Sequence, residues 1–190
     1  MIIEQYYAAS RLSIRAIALL IAVAALLAGG SAHAAPATDW PTVHHDGARS
    51  GRTPDTVRGP YALQWATEFP NEVLATRLEA IVAGSRVFIG TYSGNLYALD
   101  RHTGAVLWKH AGGAPILHSP AVENGIVFYG TAGQNGSLFA VDADSGKPRW
   151  RFRPDGGGFA ASPLVAGGAV YLGGRDGVFY AVDARTGKQR

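Results

Sequence analysis

Residues 98–108 read ALDRHTGAVLW, residues 140–150 read AVDADSGKPRW, and residues 181–190 read AVDARTGKQR. These segments are three copies of one motif, with Ala, Asp, Thr or Ser, and Gly at fixed offsets and a Trp closing the first two. The shared positions are Ala98, Asp100, Thr103, Gly104, Trp108, Ala140, Asp142, Ser145, Gly146, Trp150, Ala181, Asp183, Thr186 and Gly187. The motif recurs about every 42 residues, and a fixed period of that length indicates a repeat architecture.

A short apolar run precedes each copy of the motif, and a turn separates the two. The runs are VFIG at 87–90, VFYG at 127–130 and VYLG at 170–173. Asn-Gly at 135–136 and Asp-Gly at 176–177 favour tight hairpins, because Gly accepts the positive φ that such turns need. Further apolar blocks at 116–123 and 159–166 supply a candidate first strand. Each repeat therefore predicts four short strands joined by hairpins.

Four strands per repeat at this period predict an all-β chain, folded as a β-propeller of four-stranded antiparallel blades. We expect about three blades of a propeller of roughly seven to eight, over residues 77–111, 116–153 and 159–190. Residues 61–69 predict one more strand, whose Trp65 precedes Trp108 by the repeat period. Residues 35–60 predict an irregular lead-in. Trp108 and Trp150 suit positions between blades, where an indole N–H finds an acceptor.

The run Ala-x-Asp-x-x-Thr/Ser-Gly-x-x-x-Trp resembles the tryptophan-docking motif of the PQQ-like (pyrroloquinoline quinone) β-propeller repeat family. That family includes quinoprotein alcohol dehydrogenases and the lipoprotein of outer-membrane β-barrel assembly. Asp39-Trp40-Pro41 also resembles the segment that often precedes such propellers. The resemblance covers residues 39–190 and implies a fold rather than one function, since a single fold serves many functions.

The chain departs from these relatives in having no Cys. The assembly lipoprotein carries a lipidated Cys after its signal, and many of the dehydrogenases carry an adjacent Cys pair near the quinone. A c-type haem requires Cys-x-x-Cys-His. None of these features has its residues in this sequence.

The number of blades is smaller than a closed ring needs. A closed propeller has about four to eight blades, so about three blades and one extra strand leave apolar faces uncovered. We therefore expect the chain to be a fragment of a longer propeller. Two alternatives stay open: several copies assemble into a ring, or an open stack is capped in another way.

Residues 1–34 have the pattern of a Sec-type signal peptide. Arg11 and Arg15 precede an apolar stretch at 16–28, and Ala32-His33-Ala34 forms a cleavage site, so cleavage is expected after Ala34. The stretch is shorter than the ~20 residues of a membrane span. We therefore expect a periplasmic or secreted protein with no stable membrane span after signal removal.

Few side chains in the repeat are candidates for chemistry. The Asp residues at 100, 142 and 183 recur with the motif and fit turn positions. The weak candidates for binding a cofactor are His118, Glu79 and Glu123, which lie in or beside predicted innermost strands near the central channel. The sequence predicts neither a catalytic residue nor a metal site.

The pattern as a whole favours an exported propeller that acts as a binding or scaffold module, with an unidentified protein or small molecule as its partner. No cofactor is evident. The alternative is the N-terminal part of a PQQ-dependent alcohol or sugar dehydrogenase whose catalytic residues lie beyond this chain, and PQQ with Ca²⁺ belongs only to that alternative. The formal net charge of +3 is too small to indicate a nucleic-acid partner.

Overall fold

The structure, a computed structural model, describes residues 39–53, 55–56, 58–74 and 78–190. All eleven named elements within these residues are β-strands. They are β1 (Ile81–Ala83), β2 (Arg86–Gly90), β3 (Asn95–Asp100), β4 (Val106–Ala111), β5 (Ala121–Glu123), β6 (Ile126–Gly130), β7 (Leu138–Asp142), β8 (Pro148–Phe152), β9 (Leu164–Ala166), β10 (Ala169–Gly173) and β11 (Phe179–Asp183). The prediction of an all-β chain is confirmed.

The strands form three antiparallel sheets in which each strand pairs with the next along the chain. Their orders are β1-β2-β3-β4, β5-β6-β7-β8 and β9-β10-β11. The register repeats as well: Phe88 pairs with Ala98, Phe128 with Ala140, and Tyr171 with Ala181. In the third sheet a single bridge joins Val182 to Gln189, at the place where β4 and β8 lie in the other two sheets. The repeat in the sequence is therefore a repeat of one hairpin-linked sheet.

The apolar core lies between the sheets rather than within one of them. Side chains alternate along a strand, so Val127 and Tyr129 of β6 pack against the first sheet, while Phe128 packs against the third. Ile81 and Leu172 complete these two layers from the neighbouring sheets. Because both faces of β6 are covered, its sequence is a continuous apolar run instead of an alternating one.

The first strands of the second and third sheets are shorter than the sequence predicts. The candidate block at 116–123 yields only β5, and the block at 159–166 yields only β9. Each of these strands begins directly after a proline, Pro120 or Pro163. Proline has no N–H to donate to a ladder and is confined to the margin of a strand, so pairing starts at the residue that follows.

The structure assigns no strand to residues 61–69, where the sequence predicts one. None of the described strands pairs with this segment to form a ladder. Side chains hold it instead: the indole N–H of Trp65 donates to the Arg101 carbonyl at 2.9 Å, and the Thr67 hydroxyl donates to the Gly104 carbonyl at 2.6 Å.

The described part of the lead-in lies along the first strands of two sheets. Trp40 and Val82 exchange two backbone hydrogen bonds of 2.7 and 2.9 Å, and the Val122 N–H donates to the Pro41 carbonyl at 2.7 Å. The lead-in therefore satisfies backbone groups of β1 and β5 that face away from their own sheets.

Two predictions concern export and the membrane. The predicted signal peptide, residues 1–34, lies outside the described residues. Within the described ranges, no helix has the length and apolar character that a membrane crossing requires.

A pair of Phe→Ala variants tests the location of the core. Phe128 is 1% exposed between the second and third sheets, whereas Phe179 is 73% exposed. Phe128→Ala is expected to lower the free energy of unfolding by about 3–5 kcal/mol, because it removes a buried ring and leaves a cavity. Phe179→Ala, the matched control, should change it by less than about 0.5 kcal/mol. Urea unfolding followed by tryptophan fluorescence measures both, and equal losses would contradict a core between the sheets.

Candidate functional site

The three Asp residues of the motif act as turn residues in the same way. Each carboxylate accepts two backbone N–H bonds and one hydroxyl bond from the residues that follow it. For Asp100 the donors are His102 N at 2.9 Å, Thr103 N at 2.8 Å and Thr103 Oγ1 at 2.9 Å. Asp142 and Asp183 repeat this pattern with Ser145 and Thr186.

In two of these turns an arginine also forms an ion pair with the Asp carboxylate. Arg149 lies 2.7 Å from Asp142, and Arg190 lies 2.7 Å from Asp183. The hydrogen bond from Arg149, with those from Ser145, lowers the pKa of Asp142 to about 2. The repeated carboxylates are therefore engaged in holding turns.

The glycine of each turn supports a tryptophan from the preceding repeat. Gly146 has φ +69°, and a Cβ built on it would lie 2.7 Å from the Trp108 ring. The Trp108 indole N–H donates to the Ala143 carbonyl at 3.1 Å, so the ring covers the turn and also caps it. Trp150 does the same over Gly187. Each turn thus joins one sheet to the next.

The opposite end of the sheets carries an open cleft. It lies where the β2–β3, β6–β7 and β10–β11 loops meet the connections that lead from one sheet to the next, and it has a volume of about 350 Å³. Pro115, Leu117 and Ala132 form much of its apolar wall, with Tyr92 and Gln134 at the loops. This loop face is the candidate functional site, because concave apolar sites with a few polar groups are typical of binding sites.

Arg175 is the charged residue of the cleft wall as far as the structure describes it. Its backbone is fixed, since its N–H donates to the Gly158 carbonyl at 2.9 Å. The Cβ of Arg175 packs against the backbone of Gly157: a Cβ added at Gly157 would lie 3.2 Å from it. The guanidinium makes neither a hydrogen bond nor an ion pair with the described residues.

An exposed apolar ledge, made of Val73, Leu74 and Tyr92, adjoins the cleft. The Tyr92 N–H donates to the Val73 carbonyl at 2.7 Å, which brings the two segments together. All three side chains are exposed, Val73 to 61%. Apolar residues that cluster at the surface beside a groove are typical of interaction sites.

None of the three cofactor candidates from the sequence lines this cleft. Glu79 is exposed, and its backbone N–H donates to the Ser119 hydroxyl at 2.7 Å, one residue after His118. Glu123 lies at the end of β5 and lines a separate cavity of about 120 Å³ with Thr42 and Leu164. The structure therefore brings Glu79 near His118 through Ser119 and places Glu123 elsewhere. Their role as cofactor ligands stays a prediction.

A calcium-assisted quinone needs oxygen ligands that converge on one point. Across residues 39–53, 55–56, 58–74 and 78–190, no group of three or more His, Asp or Glu side chains is arranged to hold a metal ion. The cleft wall contributes Arg175 and the Gln134 amide but no carboxylate from the described residues. The described residues therefore do not fit PQQ with Ca²⁺.

Sequence reasoning missed Arg175 and Tyr92, and it missed the buried carboxylate of Glu72. The Glu72 side chain is 5% exposed, and the Lys109 Nζ lies 3.3 Å from its Oε1. Three further donors reach its oxygens: Thr91 Oγ1 at 2.6 Å, Asn95 Nδ2 at 2.6 Å and Tyr97 OH at 2.7 Å. Burial alone would raise the pKa of Glu72, but these hydrogen bonds outweigh it and lower the pKa to about 2. Glu72 is thus an ionised clamp on the β2–β3 loop of the cleft.

Glu72→Gln tests this clamp through the pH dependence of stability. The pKa of Glu72 falls from 4.5 to about 2 on folding, so its ionised form stabilises the fold above pH 4.5. The stability advantage of the wild-type chain over Glu72→Gln should shrink as the pH falls from 4.5 towards 2. Urea unfolding at a series of pH values measures it, with the exposed Glu68→Gln as the control. A difference that stays constant across this range would contradict the clamp.

Comparisons with known proteins agree with the fold. The family model described as outer membrane protein assembly factor BamB matches residues 60–136 and again 130–190. The solved structure of BamB from Moraxella catarrhalis superposes with a TM-score of 0.57 at 29% identity, covering 66% of this chain and 38% of that one. The prediction of a partial propeller of PQQ-like repeats is confirmed.

Two curated relatives belong to other functional classes. The serine/threonine-protein kinase AfsK of Streptomyces griseus is 35% identical over 128 residues, which are 59% of this chain and 15% of the kinase. The quinohemoprotein alcohol dehydrogenase ADH IIB of Pseudomonas putida is 38% identical over 78 residues, which are 36% of this chain and 11% of the enzyme. The chain spans well under half of each relative. It belongs to the PQQ-like β-propeller repeat family whose model is described as outer membrane protein assembly factor BamB.

Proposed function

We propose that this chain is a binding or scaffold module of an exported propeller, and that its loop face holds the partner. The observation that carries the proposal is the apolar cleft between the loops, with Arg175 on its wall and no ion-pair partner for Arg175 among the described residues. Export rests on the signal pattern of residues 1–34 and on the match to an outer membrane assembly factor.

The positions of the carboxylates and of the polar groups in the cleft support binding rather than catalysis. The motif carboxylates hold turns at one end of the sheets, and Glu72 is enclosed by donors. The described cleft wall has a cation, an amide and a phenol, which recognise a partner but supply no base or nucleophile at neutral pH. A scaffold needs such a surface and no reacting group.

The second candidate is a portion of a PQQ-dependent alcohol or sugar dehydrogenase. The 38% identity to a quinohemoprotein alcohol dehydrogenase favours it. In that case this chain contributes blades to the enzyme, and the residues that hold Ca²⁺ and the quinone lie outside the part that the structure describes.

Site-specific photo-crosslinking in the host cell tests the binding proposal. A benzophenone amino acid is placed at Gln134 in the cleft, and the control is placed at Lys147, an exposed turn residue at the opposite end of the second sheet. We expect one defined crosslinked product from position 134 and none from position 147. Equal products from both positions, or none from position 134, would contradict a partner at the loop face.

A reconstitution assay separates the second candidate from the first. The purified full-length gene product that contains this chain is mixed with PQQ, Ca²⁺, a primary alcohol or a sugar, and a redox dye. The scaffold proposal predicts neither a bound-quinone absorption nor dye reduction above the protein-free rate. Substrate-dependent dye reduction would favour the dehydrogenase instead.

A further inference from the structure

We propose that the partner presents a short acidic segment to the loop face, with its carboxylate on Arg175 and a neighbouring apolar side chain against Leu117 and Pro115. This inference rests on the proposed binding function and specifies the chemistry of the partner.

The positive charge of Arg175 on the cleft wall favours an anionic ligand. Several arginines of the chain lie beside carboxylates, as Arg86 does beside Asp144 at 2.9 Å and Arg101 does beside Asp39 at 3.3 Å. Arg175 lies on the cleft wall, where its guanidinium has no acceptor among the described residues and no described carboxylate lines the cleft. A guanidinium binds a carboxylate with two parallel N–H···O bonds, which makes an acidic side chain the matching group.

The surroundings of Arg175 prepare it for this contact. The backbone bond to Gly158 and the close approach to Gly157 fix the base of the side chain, while its guanidinium contacts no acceptor in the part of the chain that the structure describes. Because the base of the side chain is already fixed, Arg175 loses less conformational entropy when a ligand binds. The neighbouring Asp176 is directed elsewhere, since its carboxylate accepts from the Tyr180 hydroxyl at 2.5 Å and from the Val178 N–H at 3.0 Å and forms no ion pair with Arg175 among the described contacts.

The extent of the apolar surface selects a protein segment over a small molecule. The cleft volume of about 350 Å³ is near the lower end of small-molecule pockets. The apolar surface continues from Tyr92 onto the ledge at Val73 and Leu74, outside the cleft. A small carboxylate would leave this ledge in water, whereas a peptide can cover both the cleft and the ledge.

An NMR titration of the full chain with defined peptides tests the inference. The probe is acetyl-Gly-Leu-Asp-Phe-Gly-amide, and the matched probe has Asn in place of its Asp. We expect the Asp peptide to shift the amide signals of residues 92, 117 and 134 and to bind about tenfold or more tightly than the Asn peptide, because a charge-assisted hydrogen bond is lost with Asn. Added salt should weaken the Asp peptide selectively.

Two arginine variants complete the design. Arg175→Gln should reduce affinity for the Asp peptide about tenfold and leave the Asn peptide unchanged. Arg185→Gln, with the same charge change at an exposed turn at the other end of the third sheet, should leave both unchanged. Equal effects of the two variants, equal binding of the two peptides, or no binding of either would overturn the inference.

A small carboxylate serves as the remaining comparison. Benzoate that binds as tightly as the Asp peptide would overturn the assignment to a protein segment. Failure of the proposed function shows itself differently, as dye reduction in the PQQ assay or as the absence of a crosslink at position 134. The two failures are therefore distinguishable.

Discussion

The contact between a tryptophan of one repeat and the glycine turn of the next is the interaction on which this structure depends. The indole of Trp108 lies on Gly146 and donates to the Ala143 carbonyl, and Trp150 and Trp65 make the same contact with their own turns. The contacts of Trp108 and Trp150 each span two sheets. A sheet with two apolar faces is stable only when neighbours cover it, so the contact that sets sheet against sheet also forms the core.

This arrangement separates stability from binding. The carboxylates and indoles of the motif act at one end of the sheets, where the sequence repeats closely. The loop face at the other end varies from sheet to sheet, with Tyr92, Gln134 and Arg175 at comparable loops. Variable loops on a rigid scaffold are where repeat proteins place recognition. Glu72 contributes to both stability and binding, because its buried carboxylate holds the β2–β3 loop that bears Tyr92.

The sequence allowed prediction of the all-β class, the antiparallel sheets and the hairpins, because local turn chemistry and a fixed period determine them. The structure assigns no strand to residues 61–69, because the spacing of Trp65 from Trp108 indicates a repeat position but does not supply a pairing partner among the described strands. The cleft could not be predicted, since its residues are far apart in sequence and lie in loops outside the repeated motif. The role of Glu72 could not be predicted either, because the groups that donate hydrogen bonds to its carboxylate lie about 20 residues away in sequence. His118, Glu79 and Glu123 stay predictions.

Two Gly→Ala variants test the central contact most directly. Gly146 and Gly125 both have positive φ, of 69° and 71°, but only the Cβ at position 146 would meet the Trp108 ring, whereas position 125 is open. Both variants share the backbone strain, so the difference in their free energies of unfolding isolates the contact. The account predicts that Gly146→Ala costs about 1–3 kcal/mol more than Gly125→Ala in urea unfolding. Equal costs would contradict it.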